Sequence, residues 1–301
     1  MTQISILGSG VVGTCVGRGL QELHNQVRFY DISPKRVDEL CRNGLTATSS
    51  LETALEDSEV SIVCVPTPTL AGRIDLSYLQ SLVRQLANFL RERAGYHLVV
   101  IKSTVVPTTT ERIVIPALEQ HSGLKVGGQV GVCVNPEFMT EIHGSWTTDR
   151  SFVRGFFDEP AIVIGESDKT SGEKLAKLYE PLRRPIIRTN IVTSEMIKYA
   201  FNCALATRIS YWNEIYYVCR LLNINSETVA RVAGMDPRIG TYGTVHGKAF
   251  GGKCLPKDLR ALVQFVTDLG YDPKLLRAVE DINKRIGADR GVREQVDSSS
   301  P

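Results

Sequence analysis

Ile4-Ser5-Ile6-Leu7-Gly8-Ser9-Gly10-Val11-Val12-Gly13 is the stretch on which the fold turns. A short apolar run passes straight into glycines in the order G-x-G-x-x-G, and Val12, Val16 and Leu20 then recur at helical spacing. The glycines alone say little; strand, glycine turn and helix in succession give them meaning as a dinucleotide-binding turn. Gly8 makes the tight turn, Gly10 lets a pyrophosphate approach the backbone, and Gly13 packs helix on strand. Val11 and Val12, at the helix start, belong to the same expected cofactor contact. The next strand, Val27-Arg28-Phe29-Tyr30, ends in Asp31, 18 residues after Gly13. An acidic residue there accepts hydrogen bonds from a ribose diol and repels a 2′-phosphate. That favours NAD over NADP, although Lys35 and Arg36 nearby weaken the discrimination.

Strand and helix patterns keep alternating beyond this turn. Val60 to Val65 reads as a buried strand broken by Pro66-Thr67-Pro68. An amphipathic helix follows from Asp75 to about Arg93. His97 to Ile101 is a further strand, ending in Lys102-Ser103-Thr104, and Val130 to Val134 another, ending in Asn135-Pro136-Glu137. Ala161 to Ile164 closes the series. The alternation predicts an α/β fold, a doubly wound and mostly parallel sheet with helices on both faces. Ligands of such sheets gather outside the carboxyl ends of the strands. Pro66 with Thr67, Ser103 with Thr104, and Asn135 with Glu137 all stand at such ends, and Glu141 lies four residues after Glu137. Gly144 to Glu159 has no clean period and reads as an irregular excursion, either over a substrate or at the surface.

From Thr189 to about Leu222 the chain has neither proline nor glycine, and Ile197, Phe201, Leu205, Ile209 and Trp212 recur at three- and four-residue steps. This predicts a helix of roughly 30 residues, about 45 Å long. Such a helix spans a molecule or builds a dimer interface. Lys198 and Asn202 fall on one face of it; as two isolated polar residues they also fit a solvated surface pair. A shorter helix follows, with Ser226 as its expected N-cap. It ends at Gly234, and a glycine-rich loop holding Arg238, Tyr242, His246 and Lys248 leads to Gly251-Gly252-Lys253-Cys254-Leu255-Pro256-Lys257-Asp258. Glycines admit a close backbone approach, lysines on both sides favour a thiolate, and Pro256 suits a helix's first turn. Cys254 then stands at a helix N-terminus, where the backbone dipole favours an anion. The residues alone leave two readings open for it, a nucleophile or a buried structural thiol. A last helix is expected from about Lys274 to Ile286. The resulting division is an NAD-binding domain over 1–188, a helical domain over 189–290 and a disordered tail over 291–301.

Bulk properties exclude several classes. A formal net charge of +2 in 301 residues argues against a general nucleic-acid binder. No apolar run approaches the roughly 20 residues of a membrane span. The N-terminus enters a strand with no charged-then-apolar leader, so a cytoplasmic protein is expected. Seven cysteines, at 15, 41, 64, 133, 203, 219 and 254, include no CxxC pair, which points away from disulfides and zinc. The six other than Cys254 sit in apolar or helical stretches and read as small core residues. No histidines stand at metal-ligand spacing.

Taken in order, these pieces resemble the UDP-glucose/GDP-mannose dehydrogenase family over essentially the whole chain. They are Gly8-x-Gly10-x-x-Gly13, Val65-Pro66-Thr67-Pro68, Lys102-Ser103-Thr104-Val105, Asn135-Pro136-Glu137-Phe138, Lys198-Tyr199-x-x-Asn202, Arg238-Ile239-Gly240, and the stretch Gly251 to Asp258. The resemblance implies an NAD-dependent four-electron oxidation of a sugar primary alcohol to a carboxylate. It makes Cys254 the carrier of a thiohemiacetal and then a thioester, and Lys198 and Asn202 the donors to an alkoxide. Glu137 becomes the base for thioester hydrolysis with Glu141 in support, and Thr104 and Asp258 position the water and the lysine. Gly251, Lys257 and Arg238 fall to substrate binding, Arg238 from a neighbouring subunit of a dimer built on the long helix, and Lys257 also to the cofactor. Met139-Thr140 and the longer Gly144 to Glu159 stretch depart from the family. So does the chain's stop soon after Asn283, where relatives continue into a further domain that grips the nucleotide. The substrate is then either a nucleotide sugar or a smaller sugar or nucleoside. A two-electron hydroxy-acid-type dehydrogenase and a non-catalytic cofactor-binding remnant are the alternatives.

Overall fold

The computed structural model describes residues 1–140, 146–252 and 254–297. They divide into two compact units. The first holds residues 1–68, 74–139 and 154–198; the second holds 69–73, 140–153 and the chain from Tyr199 onward.

In chain order the elements begin with β1 (Gln3–Leu7), α1 (Val11–Glu22), β2 (Gln26–Tyr30), α2 (Pro34–Arg42), β3 (Ala47–Thr48), α3 (Leu51–Leu55) and β4 (Val60–Val63). A small hairpin, β5 (Thr69–Leu70) and β6 (Arg73–Ile74), precedes α4 (Ser77–Arg91) and β7 (His97–Ile101). A π-helical turn at Thr110–Val114 runs into α5 (Ile115–Ser122), followed by β8 (Val130–Val134), β9 (Ile162–Glu166), α6 (Lys169–Tyr179) and β10 (Ile186–Asn190). Then come α7 (Ile191–Leu221), α8 (Ser226–Ala233), α9 (Leu255–Asp268) and α10 (Lys274–Asp297).

The first unit is the expected sheet, eight strands in the order β10-β9-β8-β7-β4-β1-β2-β3. Its strands are continuous Val/Ile/Leu runs because helices cover both faces. Period-two alternation sends Leu7, Val63, Val99 and Val132 to the face packed by α4 and α5. Ile6, Ile62, Val100 and Cys133 go to the other face, against α1 and α6. Each such side chain, fully buried, contributes about 2 kcal/mol of apolar transfer.

Six strands run parallel, which puts the carboxyl ends of β1, β4, β7 and β8 on one edge. The last two turn round: β9 pairs β8 antiparallel through Cys133↔Glu166 and Val134↔Gly165, and β10 follows β9 in parallel. Asn190 therefore ends level with the carboxyl end of β8. The next helix starts there: the Asn190 side chain accepts the Thr193 N–H at 2.8 Å, and the Ser194 hydroxyl donates to the Val134 carbonyl. The sequence pattern starts this helix at Thr189 and misses β10, because Ile186-Ile187-Arg188-Thr189-Asn190 is a half-exposed edge strand without alternation.

The second unit is helical. It takes α7 only from Tyr199, so the division between the two units falls inside a continuous helix. Asn225, not Ser226, caps α8, accepting the Thr228 N–H at 2.8 Å. The final helix runs on to Asp297, past the end expected near Ile286, and 298–301 lie outside the described residues. The glycine-rich loop before α9 is clipped from two helices. Arg208 of α7 donates to the carbonyls of Ile239, Gly240 and Tyr242. Asn213 holds Gly247 and Lys248, and Asn283 of α10 bonds both backbone groups of Phe250. The unreadable stretch before β9 belongs here from Trp146 to Val153, with the Trp146 carbonyl accepting Gly243 N–H at 2.8 Å and Lys248 over its ring.

Candidate active site

The glycine turn has the shape its sequence implies. Gly8 has φ +97°, and a Cβ there would come within 2.9 Å of the Cys64 carbonyl, so no other residue fits. A Cβ on Gly13 would stand 2.1 Å from the Gly8 oxygen, which sets the closeness of α1 to β1. Around Gly10 a Cβ meets nothing within 4 Å, leaving the backbone at the α1 N-terminus open to a pyrophosphate. Asp31 is fixed beside it, accepting the N–H of Ser9 and of Ser33, both at 3.0 Å. Arg36 is occupied in bracing the turn: its Nε donates to the Ser9 carbonyl at 2.7 Å, its Nη2 to Thr14, and its Nη1 pairs with Glu39. Lys35 is exposed. The residues present suit the ribose diol of NAD.

At the same sheet edge the loops after β4 and β7 are stitched together. The Thr67 hydroxyl donates to the Thr104 carbonyl at 2.6 Å and Ser103 Oγ to the Val65 carbonyl at 2.7 Å. Thr67 is buried by this, whereas Pro66 is exposed. The loop after β8 is held by Asn135, which takes hydrogen bonds from Lys102 and Tyr179 and gives one to Val163. That hub presents Glu137. Its Oε1 pairs with Lys198 Nζ at 2.9 Å, its Oε2 accepts the Met139 N–H, and its carbonyl also takes the lysine. Lys198 is 5% exposed, so the surface-pair reading fails; a buried ammonium requires this partner. Burial pushes the Glu137 carboxyl up, but the charge and hydrogen bond of Lys198 outweigh it and leave the pKa below the usual range.

A second polar group lies within the helical unit. Asn202, one turn after Lys198 along α7, is 4% exposed and donates to Asp258 Oδ2 at 2.6 Å. Lys257 Nζ bonds the other oxygen, Oδ1, at 2.5 Å. Asp258 is buried in the first turn of α9, where a carboxylate also meets the positive end of the helix. Cys254 is the half-buried N-cap residue of that helix, and its carbonyl receives the Asp258 N–H at 2.9 Å. Gly252 has φ +80°, next to the exposed Gly251. The hairpin ties in as well, with Thr69 Oγ1 donating to the Lys257 carbonyl.

Of the expected residues, Lys198 and Glu137 form the first polar group and Asn202, Asp258 and Lys257 the second. Arg238 is a surface side chain, paired with Asp236 at 2.7 Å. Glu141 and Lys253 lie outside the described residues. Among the other cysteines, burial drives Cys64, Cys133 and Cys203 up to about 12, which keeps them inert thiols. Cys41 is exposed on α2 and not in the core. Sequence reading misses Glu159, buried and accepting the Phe138 N–H at 3.0 Å right behind Glu137. Burial raises its pKa, with Lys102 opposing. Only an acid just ahead of an apolar strand hinted at it. Among the described residues no cluster of His, Cys, Asp and Glu could hold a metal ion, and no helix is long and apolar enough to cross a membrane.

A sheet with an open glycine turn and an anchored acid after its second strand is the nucleotide half of an NAD-dependent oxidoreductase. Comparison with known proteins says which kind. The NAD binding domain of the UDP-glucose/GDP-mannose dehydrogenase family matches residues 39–183 and its central domain matches 192–285. The GDP-mannose 6-dehydrogenase of Pseudomonas savastanoi pv. phaseolicola is 35% identical over 300 residues, covering 92% of this chain and 67% of that protein. A UDP-glucose 6-dehydrogenase of Haloferax volcanii is 33% identical, covering 93% and 69%. Among solved structures, a UDP-glucose dehydrogenase of Pyrobaculum islandicum superimposes with TM-score 0.86 at 30% identity, covering 95% of this chain and 68% of that one. The chain belongs to the UDP-glucose/GDP-mannose dehydrogenase family, and it spans about two thirds of the length of these relatives.

Proposed function

We propose that this protein oxidises the primary alcohol of a nucleotide sugar to the carboxylate in two steps, with Cys254 as the covalent carrier. The observation that carries this is the retention of both buried polar groups, Lys198 with Glu137 and Asn202 with Asp258 and Lys257. Buried charges of this kind cost stability unless paired, and nothing in the packing of a plain cofactor-binding domain calls for them. Two NAD, one bound for each oxidation in turn, would supply the hydride acceptors. Lys198 and Asn202 donate to the oxygen that carries negative charge as the alcohol loses its proton and hydride, a role fixed donors fill well in a dry site. The Cys254 sulfur adds to the aldehyde carbon to give a thiohemiacetal. Loss of a second hydride and a proton leaves a thioester. Water, deprotonated by Glu137, then displaces the thiolate and releases the acid. Thr104 positions the water and Asp258 holds Asn202 and Lys257, with Glu141 in support; Lys257, Gly251 and a partner subunit's Arg238 bind substrate. Against its burial, the charge and hydrogen bond of Lys198 hold the Glu137 carboxyl below the usual range, so it stands ionised at neutral pH.

The first unit serves as the NAD domain and the second as the carrier of the nucleophile. The protein acts as a homodimer through α7, in the cytoplasm, where reducing conditions keep thiols available. The test is NADH release against UDP-sugars, GDP-mannose, free sugars and nucleosides. Two NADH per carboxylate formed from a nucleotide sugar is the expected result. One NADH per turnover would return the two-electron reading, and NAD binding without turnover on any compound would return the remnant.

A further inference from the structure

Glu195 is a buried carboxylate that these steps leave unused. It sits on α7 three residues before Lys198 and is 1% exposed. Both of its oxygens are engaged with one loop: Oε2 accepts the Thr108 N–H at 2.7 Å and Oε1 the Thr110 N–H at 2.9 Å. These N–H groups open the helical stretch that begins at Thr110, where no intrahelical acceptor exists for them. Thr108 has φ +76°, a left-handed conformation that a threonine holds only when its surroundings impose it. The other end of this loop is Ser103 and Thr104, already tied to Val65 and Thr67. One side chain thus connects the start of α7 to the loop after β7.

We propose that Glu195 is a positioning residue, fixing the loop that carries Thr104 against the segment of α7 that carries Lys198. It acts through backbone, and it touches neither cofactor nor substrate. The proposal rests on the dehydrogenase reading above, since only there do Thr104 and Lys198 serve the same reaction. A carboxylate suits the task because it only accepts; an amide of the same shape would turn an NH2 towards one of the two N–H donors. Burial lifts the Glu195 carboxyl to about 7, with the Thr110 side chain and the two N–H donors pulling the other way. Glu111, on the π-helical turn, is the charged neighbour that acts on it, also upward, and Lys198 is engaged by Glu137. Protonation in the neutral range removes one acceptor and slackens the loop, so turnover falls as pH drops through about 7.

Two measurements on the full chain decide it. Amide NMR of Thr108 and Thr110 between pH 5.5 and 8.5 needs no substrate, and both signals are expected to titrate near neutrality and to stop doing so in Glu195→Gln. The same variant is expected to lose about 100-fold in kcat, the scale of a sub-ångström to 1 Å misplacement, with KM for NAD little changed. Glu195→Asp, which keeps the charge, recovers part of the loss. Amides that do not titrate in the native protein overturn the proposal, and so does a Gln variant with native kcat. Should no alcohol be oxidised, the dehydrogenase reading falls on its own panel, and the amide titration still decides whether Glu195 holds the loop.

Discussion

Cys254 caps α9 with its carbonyl already in the helix, and its chemistry is separable from its packing. Cys254→Ala is expected to leave NAD binding and thermal stability near native while abolishing carboxylate formation by at least about 1000-fold. Carboxylate at the native rate would remove the covalent route. Lys198 is different, because its partner is buried with it. Lys198→Met strands the Glu137 carboxylate and is expected to cost about 3–5 kcal/mol in chemical denaturation, with most of that recovered in the Lys198→Met/Glu137→Gln double variant. Cys254 stands out as a candidate nucleophile because glycines, lysines and a proline surround it in sequence. Burial of Lys198 and Asn202 was not legible there, since their partners stand 61 and 56 residues away, and α7 carries apolar side chains round much of its circumference. Only family resemblance made them site residues. Glu159 and Glu195 escaped altogether because what they bind is backbone, which no side-chain pattern announces.

At the level of elements, the strands that carry the glycine turn, Thr67, Thr104 and Glu137 could all be read from the sequence, because two-sided burial writes them as unbroken apolar runs. The caps and the edge strand could not. The tightest joint is α1 against β1. Gly13→Ala must push a Cβ into the Gly8 carbonyl, and the expected result is loss of NAD binding by calorimetry together with a drop in melting temperature. A different joint governs acid stability. His97, in the middle of the sheet, bonds Ser61 at 2.8 Å, and burial holds its pKa down at about 3. The folded pKa lies below the unfolded one, so between the two the unfolded chain binds the extra proton. Stability from this group is therefore complete above about pH 6.5 and declines as pH falls towards 3. His97→Gln is expected to flatten that part of the stability–pH curve; an unchanged slope would assign it to other groups.

For the molecule as a whole, α7 leaves Tyr211, Val218 and Leu221 exposed, at steps of seven and three that place them on one stripe of the helix. A stripe of that kind fits a second copy of the same helix. Sedimentation is expected to give a dimer for the native protein and a monomer for Tyr211→Asp/Leu221→Glu, with NAD affinity preserved. A native monomer would leave Arg238 without the neighbouring active site assigned to it. The reversal of β9 and β10 has a consequence of another kind. The central parallel strands β2, β1, β4, β7 and β8 pair through four or five residues at each step, but β9 meets β8 through two register pairs, while holding β10 through five. Such a ribbon is a unit that can open by itself. Opening would draw the root of α7, and Lys198 with it, away from Glu137 while the nucleotide turn stayed folded. Loss of turnover on gentle heating would then precede loss of NAD binding, and the first amides to exchange in native-state hydrogen exchange would be those between Ile162 and Asn190.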